Sequence, residues 1–115
     1  MLNYRIADGE SLEYLNICPL EEISSGERLF FEIHDQPIVL INIAGMLYAI
    51  GDVCTHDNGP LGDGEIEEKS IICPRHGARF DLETGRAVRL PAIQDIPAYP
   101  VRVVDRVVQI GVPKK

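Results

Sequence analysis

Apolar and polar residues alternate with period two along most of this chain, and Val, Ile, Tyr and Phe recur at the apolar positions. This alternation is typical of half-buried β-strands, and these residue types favour the strand conformation. The pattern predicts strands over residues 14–18, 28–33, 37–43, 46–50, 64–67, 70–73, 79–82, 86–88, 99–104 and 106–112. Only residues 20–25 favour a helical turn. We therefore predict an all-β fold, a small antiparallel β-sandwich or barrel.

Short connections are expected between several of these strands. Pro19 is expected to end the first strand, because proline cannot donate to a strand ladder. His34-Asp35-Gln36 is expected to form the hairpin turn between the second and third strands, and Ala44-Gly45 leads into the fourth. Asp105 joins the last two strands.

Two segments interrupt the strand pattern and predict longer loops. Residues 51–63 are rich in Gly, Asp and Asn and contain Pro60, and residues 74–79 contain Pro74 and Gly77; each segment follows directly on an apolar strand. Loops held by a rigid sheet often carry the chemistry of a protein. We therefore look for a functional site in these two loops.

The length and composition fit one small globular domain spanning residues 1–115. Of the 115 residues, 45% are hydrophobic and 25% are charged, so the chain can bury a core. The formal net charge of −7 disfavours binding to nucleic acids or to anionic membrane surfaces, and it suits a basic protein partner. The first residues do not have the pattern of a signal peptide, and the most apolar stretch, residues 38–50, is too short to span a bilayer. We expect a cytoplasmic protein, because three cysteines do not make a disulfide framework.

One cysteine and one histidine lie in or directly beside each of the two loops. The first contains Cys54 and His56, spaced C-x-H; the second contains His76 and begins directly after Cys73, and these two are spaced C-x-x-H. Sixteen residues separate His56 from Cys73. Thiolate and imidazole ligands suit zinc or an iron–sulfur cluster, and they do not suit magnesium or calcium. The four residues are therefore candidate metal ligands.

This four-residue motif resembles that of the Rieske [2Fe–2S] proteins. Gly77, the turn Glu83-Thr84-Gly85 and the pair Pro91-Ala92, which is similar to the family's proline loop, add to the resemblance. It implies one Rieske-type [2Fe–2S] cluster, with the cysteines on one iron and the histidines on the other. The ligands would be Cys54, Cys73, His56 and His76.

Other interpretations of the same residues stay open. A zinc-stabilised interaction domain uses the same ligand types, although zinc sites favour pairs of like residues, C-x₂₋₄-C and H-x₃₋₅-H. A Cys54–Cys73 disulfide with two incidental histidines is a further alternative. Cys18 lies on a predicted strand and is expected to be a small buried apolar residue, and His34 lies at a turn and is expected to be solvated.

Two positions near the second loop bear on the reduction potential. High-potential relatives carry a serine two positions after the last histidine ligand and a tyrosine two positions beyond it, whereas this chain has Ala78 and Phe80. Hydroxyl groups there stabilise the added electron in those relatives. We therefore expect a potential toward the lower end of the Rieske range, which is roughly −150 to +300 mV.

The function implied by the resemblance is electron transport. The chain resembles the soluble Rieske ferredoxins of bacterial aromatic-ring dioxygenase systems, which carry one electron from an NAD(P)H-dependent flavoprotein reductase to a terminal oxygenase. It is then an electron carrier and not an enzyme in its own right. The oxygenase itself needs an iron site of two further histidines and a carboxylate, and only His34 remains. We expect a monomer, because a shuttle needs its cluster edge free.

The chain also resembles a second kind of Rieske-like protein. The small Rieske-like subunit of assimilatory NAD(P)H nitrite reductase has a similar size and fold, but its members often lack cluster ligands.

Acidic residues near the first loop are expected to steer a basic partner toward the histidines. They are Asp52, Asp57, Asp63, Glu65, Glu67 and Glu68.

Overall fold

Eleven β-strands run through the part of the chain that the computed structural model describes, which is residues 12–54, 59–75, 77–90 and 94–113. The strands are β1 Leu12–Pro19, β2 Arg28–Ile33, β3 Gln36–Ile43, β4 Met46–Gly51, β5 Glu65–Glu67, β6 Ser70–Ile72, β7 Arg79–Asp81, β8 Ala87–Arg89, β9 Ala98–Tyr99, β10 Val101–Val104 and β11 Val107–Pro113. One turn of 3₁₀ helix, Leu20–Glu22, follows β1. The all-β prediction is confirmed, and the helical turn expected over 20–25 is shorter.

The strands form three antiparallel sheets. The base sheet has the order β2-β3-β4-β9, the outer sheet has the order β1-β11-β10, and the loop-bearing sheet has the order β5-β6-β7-β8. The base and outer sheets share one core, in which Ile38 and Leu40 of β3 pack with Val108 and Ile110 of β11. This pair of sheets is the predicted sandwich.

Strand β3 lies between two cores. Ile38 and Leu40 face the outer sheet, whereas Val39 and Ile41 belong to a second core with the loop-bearing sheet. Successive side chains of a strand point to opposite faces, so burial on both faces requires an unbroken apolar run, as 38–41 provides. The base sheet therefore supports the loop-bearing sheet directly.

Three hairpins turn through pairs of residues in the left-handed backbone region. His34 and Asp35 have φ angles of 52° and 65°, and Asp105 and Arg106 have the same two values. Ala44 and Gly45 have φ angles of 52° and 92°. Two-residue turns with positive φ match the twist of the flanking strands. The predicted connections are confirmed, with Gln36 in the strand and Arg106 added to the last turn.

Two prolines mark the limits of strands. Pro19 ends β1, as predicted, and is itself its last residue, on a strand at the edge of the outer sheet. Pro100 divides the expected strand 99–104 into β9, which pairs with β4, and β10, which pairs with β11. Proline lacks a backbone N–H and interrupts a ladder. The chain therefore crosses from the base sheet to the outer sheet at Pro100.

Candidate metal centre

The cysteines of the two predicted loops come together in one core. Cys54 follows β4 by three residues, and Cys73 directly follows β6. Their exposed fractions are 0% and 1%, and both belong to the core between the base sheet and the loop-bearing sheet. No disulfide joins Cys54 to Cys73. Two buried thiols from different loops fit a cofactor that takes soft ligands.

The two histidines, His56 and His76, lie outside the described residues, and the ligand role of all four predicted residues stays a prediction. Among the described residues, no group of three or more His, Cys, Asp or Glu side chains converges on one point. The structure therefore describes the cysteine half of the predicted centre. That half fits the predicted cluster, because its two donors are sulfur atoms at neighbouring loops.

Backbone hydrogen bonds of the cysteines close the base of each loop. The Cys54 N–H donates to the Gly59 carbonyl at 2.8 Å, across the segment that contains His56. The Cys73 N–H donates to the Ala78 carbonyl at 2.7 Å, and the Gly77 N–H donates back to the Cys73 carbonyl at 3.1 Å. The described ends of each loop are therefore tied together at its cysteine.

The loops also meet through one side chain. The guanidinium of Arg75, in the second loop, lies over Gly59 in the first loop. A Cβ atom on Gly59 would be 2.7 Å from Nη2 of Arg75, so only a residue without a side chain admits this contact. Spacing alone did not predict that an arginine would join the two loops.

The positions that bear on the potential are both in the core. Ala78 and Phe80 are fully buried in the same cluster of residues as the two cysteines. Neither side chain has a hydroxyl group, so neither can donate a hydrogen bond there. The environment of the thiols on this side is apolar, as the low-potential prediction requires.

The acidic residues near the first loop are not one free surface. The Glu67 carboxylate binds Arg79 Nη2 at 2.7 Å, and Asp52 accepts hydrogen bonds from the backbone. Asp57 lies outside the described residues. Three exposed residues remain from the predicted group: Asp63, Glu65 and Glu68.

The turn 83–85, part of the resemblance, is built around Asp81. Its Oδ1 accepts hydrogen bonds from the N–H groups of Glu83 and Thr84 at 2.8 and 3.0 Å. Gly85 has a φ of +78°, and a Cβ there would lie 2.0 Å from the carbonyl oxygen of Ile96. The turn therefore holds the chain that follows the predicted proline loop. Pro91-Ala92 themselves lie outside the described residues.

The remaining cysteine and histidine have other surroundings. Cys18 is half-buried and packs against the core of the sandwich, so the expectation of a fully buried residue was too strong. Burial raises the pKa of its thiol, and the Glu22 carboxylate raises it further. His34 is exposed in its turn, as predicted.

The comparison with known families supplies the deciding observation. The model of the Rieske [2Fe-2S] domain matches residues 13–100 of this chain. The chain belongs to the Rieske [2Fe–2S] family. Members of this family bind one Rieske-type [2Fe–2S] cluster.

Named relatives of this Rieske protein are ferredoxins. It is 40% identical over 88 residues to the 3-phenylpropionate/cinnamic acid dioxygenase ferredoxin subunit of Escherichia coli K12, covering 75% of this chain and 81% of the relative. The structure of Sphingomonas yanoikuyae B1 ferredoxin matches with a TM-score of 0.77 and 31% identity, over 88% of this chain and all of that one. Both of these relatives are ferredoxins, which are electron carriers.

Two further solved structures bear on partners and alternatives. A chain from the complex of reduced oxygenase and oxidized ferredoxin in carbazole 1,9a-dioxygenase matches with a TM-score of 0.78 and 25% identity, over 89% of this chain and 95% of that one. The NADH-dependent nitrite reductase small subunit of Mycobacterium tuberculosis has a TM-score of 0.78 over 90% and 98% of the two chains. Its identity is 17%, so this likeness shows the fold alone.

No helix among the described residues has the length and apolar character needed to cross a membrane.

Proposed function

We propose that this Rieske protein is the ferredoxin of a ring-hydroxylating oxygenase system, and that Cys54, His56, Cys73 and His76 hold its cluster. The observation that carries the proposal is the burial of two cysteines from separate loops in one core, within a domain of the Rieske family. The cluster supplies a site that accepts and releases one electron at a time. The loops 51–63 and 74–79 belong to a single domain, residues 1–115.

The chain's own residues bind and shield this centre. The buried thiols of Cys54 and Cys73 are the sulfur donors, and the core around them excludes water on that side. Ala78 and Phe80 leave the sulfur atoms without hydroxyl donors from those two positions. His56 and His76 are assigned to the second iron by the spacing of the motif, C-x-H and C-x-x-H.

The relatives support the acceptor, and the donor rests on the resemblance to ferredoxins of dioxygenase systems. We assign an NAD(P)H-dependent flavoprotein reductase as the electron donor and a terminal oxygenase as the acceptor. Support comes from a relative named as a dioxygenase ferredoxin subunit and from a similar chain in a complex of oxygenase and ferredoxin. The protein then works as a monomeric shuttle and has no catalytic reaction of its own. We place it in the cytoplasm, where cysteines stay reduced and available as ligands.

The alternatives make different predictions. A zinc domain would bind zinc without colour, and it would have no reduced-state signal in electron paramagnetic resonance (EPR). A nitrite reductase subunit would transfer electrons only within that enzyme, and the likeness to such a subunit extends to the fold alone. Neither alternative is favoured by an observation on the described residues.

Reconstitution of the purified chain with iron and sulfide tests the ligand set. We expect two irons per chain, a red-brown colour and a rhombic EPR signal after reduction, with an average g of about 1.9. Cys54→Ala, His56→Ala, Cys73→Ala and His76→Ala should each abolish the signal, whereas Cys18→Ala and His34→Ala should retain it. Colourless wild-type protein, or an unaltered spectrum after replacement of His56 or His76, would contradict the proposal.

A further inference from the structure

Gly62, which lies between the first loop and β5, is held on three sides by residues from outside the loop-bearing sheet. Its N–H donates to Asp52 Oδ1 at 2.6 Å, and its carbonyl accepts a hydrogen bond from Arg28 Nη1. A Cβ atom on Gly62 would lie 2.5 Å from Cε2 of Phe30. Arg28 and Phe30 belong to β2, and Asp52 directly follows β4. The base sheet therefore fixes the backbone of this residue.

The same two charged side chains also bind the neighbours of Gly62. Asp52 Oδ1 accepts a second hydrogen bond from the Leu61 N–H at 2.9 Å, and Arg28 Nη1 donates to the Gly64 carbonyl at 2.8 Å. All these contacts are partly buried. Hydrogen bonds to an ionised group are roughly twice as strong as those between neutral groups. Residues 61–64 are thus clamped to the base sheet by four charge-assisted hydrogen bonds.

The clamped segment is continuous with the first loop. Gly59, whose carbonyl accepts the Cys54 N–H, is three residues before Gly62. Leu61 is fully buried in the same core as Cys54 and Cys73. Movement of residues 61–64 would therefore move the closing side of the Cys54 loop and repack the core around both thiols.

We propose that Arg28 and Asp52 are positioning residues for the metal centre. By fixing residues 61–64 on the base sheet, they hold the first loop, which carries Cys54, in the place where it meets the second loop. This inference rests on the proposed function, because it assigns the two side chains to the support of a bound cluster. Since the two side chains carry opposite charges, their removal changes the local electrostatic potential in opposite directions. A positioning role instead requires both removals to weaken the centre.

The test uses cluster-loaded protein and the variants Arg28→Met and Asp52→Ala. We measure the half-life of the visible absorption in excess chelator, and the hydrogen exchange of the Leu61 and Gly62 amides. Both variants should shorten the half-life by about 10-fold or more, as expected for the loss of a charged hydrogen-bond partner. In Arg28→Met the two amides keep their acceptor, Asp52, yet should exchange about 10- to 100-fold faster because the clamp is open.

Conservative and remote variants make the result specific. Arg28→Lys and Asp52→Asn keep a donor and an acceptor, respectively, and should recover most of the half-life. Arg102→Met is the matched control, because Arg102 lies in the outer sheet, where it binds Gln109 and covers the ring of Tyr14. It should leave the half-life and the loop exchange unchanged.

Three results would overturn the positioning role. The first is an Arg28→Met protein that behaves like Arg102→Met. The second is half-life changes of opposite sign in Arg28→Met and Asp52→Ala, which would indicate an effect of charge. The third is exchange that rises equally at Val108 and Ile110, which would indicate general destabilisation. If the wild-type protein takes up no iron, the proposed function itself fails, whereas iron uptake with any of these three results removes only the positioning role.

Discussion

The backbones of Gly64 and Ile72 are in contact, since a Cβ atom on Gly64 would lie 2.0 Å from the carbonyl oxygen of Ile72. Gly64 comes at the end of the first loop region, and Ile72 comes directly before Cys73. The β5–β6 pairing, with Glu65 opposite Ile72, brings them together. This close approach joins the supports of the two ligand loops, and it requires a residue without a side chain.

Gly64→Ala should therefore disrupt the fold around the centre. The atom in the way belongs to the backbone, so no side-chain rotation relieves the clash. We expect a loss of about 3 kcal/mol or more in the free energy of unfolding, measured with urea, and poor cluster uptake. Gly45→Ala is the control, because its Cβ would meet no atom within 4 Å although its φ is +92°. The control should lose only about 1–2 kcal/mol, the cost of left-handed backbone. Equal losses would show that the contact is unimportant.

The contact between Arg75 and Gly59 should protect the centre without stabilising the fold. In Gly59→Ala the far end of the arginine can swing away, so the free energy of unfolding should change by less than about 0.5 kcal/mol. Release of iron to a chelator should accelerate by about 2- to 5-fold, the effect of losing one exposed contact of up to about 1 kcal/mol. Arg75→Ala should give the same acceleration, and the double variant should be no faster than either. Additive effects of the two changes would refute this coupling.

Adding a hydroxyl at position 78 should raise the reduction potential. Ala78 is fully buried beside the cysteines, and Ala78→Ser introduces the hydroxyl that high-potential relatives have. A differential hydrogen bond of about 0.7–1.4 kcal/mol corresponds to roughly +30 to +60 mV for one electron. The midpoint is measured by EPR-monitored titration. Ala98→Ser places the same group in another part of this core and should leave the midpoint unchanged. A wild-type midpoint at the top of the Rieske range, about +300 mV, would contradict the low-potential assignment.

The exposed acidic residues Glu65 and Glu68 should speed reduction by a basic partner. Glu67 is a poorer test of steering, because its replacement also removes the partner of Arg79. Glu65→Lys and Glu68→Lys, made singly, should each slow reduction by the reductase several-fold at about 10 mM salt. The difference should vanish at about 0.5 M salt, where charges are screened. Glu13→Lys on the outer sheet changes the same charge and should have a smaller effect. An equal effect of Glu13→Lys would assign the change to net charge alone.

The Cys18 thiol should make stability depend on pH in the alkaline range. Burial first, and the Glu22 carboxylate second, raise its pKa above the ordinary value of 9.0. The unfolded chain therefore loses this proton first, and the stability that is present below pH 9.0 is lost as the pH rises through the folded-state pKa. Cys18→Ser lacks this group and should show a shallower decline in the free energy of unfolding. Burial also raises the pKa of Tyr99 above 10.0, so this residue lowers the stability of both proteins at still higher pH. Parallel pH profiles of the two proteins would disprove the contribution of Cys18.

Local pattern in the sequence was enough to predict the strands and the ligand motif. The period-two alternation located β2 with its observed ends and came within one residue of the ends of β3 and β4. The spacing of Cys54-x-His56 and Cys73-x-x-His76 indicated the kind of centre, because ligand type and short spacing are properties of a few neighbouring residues. The two cysteines then proved to share one buried core. That Cys54, His56, Cys73 and His76 bind the cluster stays a prediction.

The tertiary structure decided what joins these segments. The sequence did not indicate that Pro100 would move the chain from one sheet to another, or that Arg28 would reach the carbonyls of Gly62 and Gly64. These contacts link residues that are far apart in the chain, or depend on which sheet a strand joins. Neither the periodicity of apolar residues nor the spacing of a motif predicts such contacts. By itself the sequence determined the strands, the class of centre and its candidate ligands. Only the packing of three sheets decided how the two loops are held together, because that depends on close approach between distant backbones.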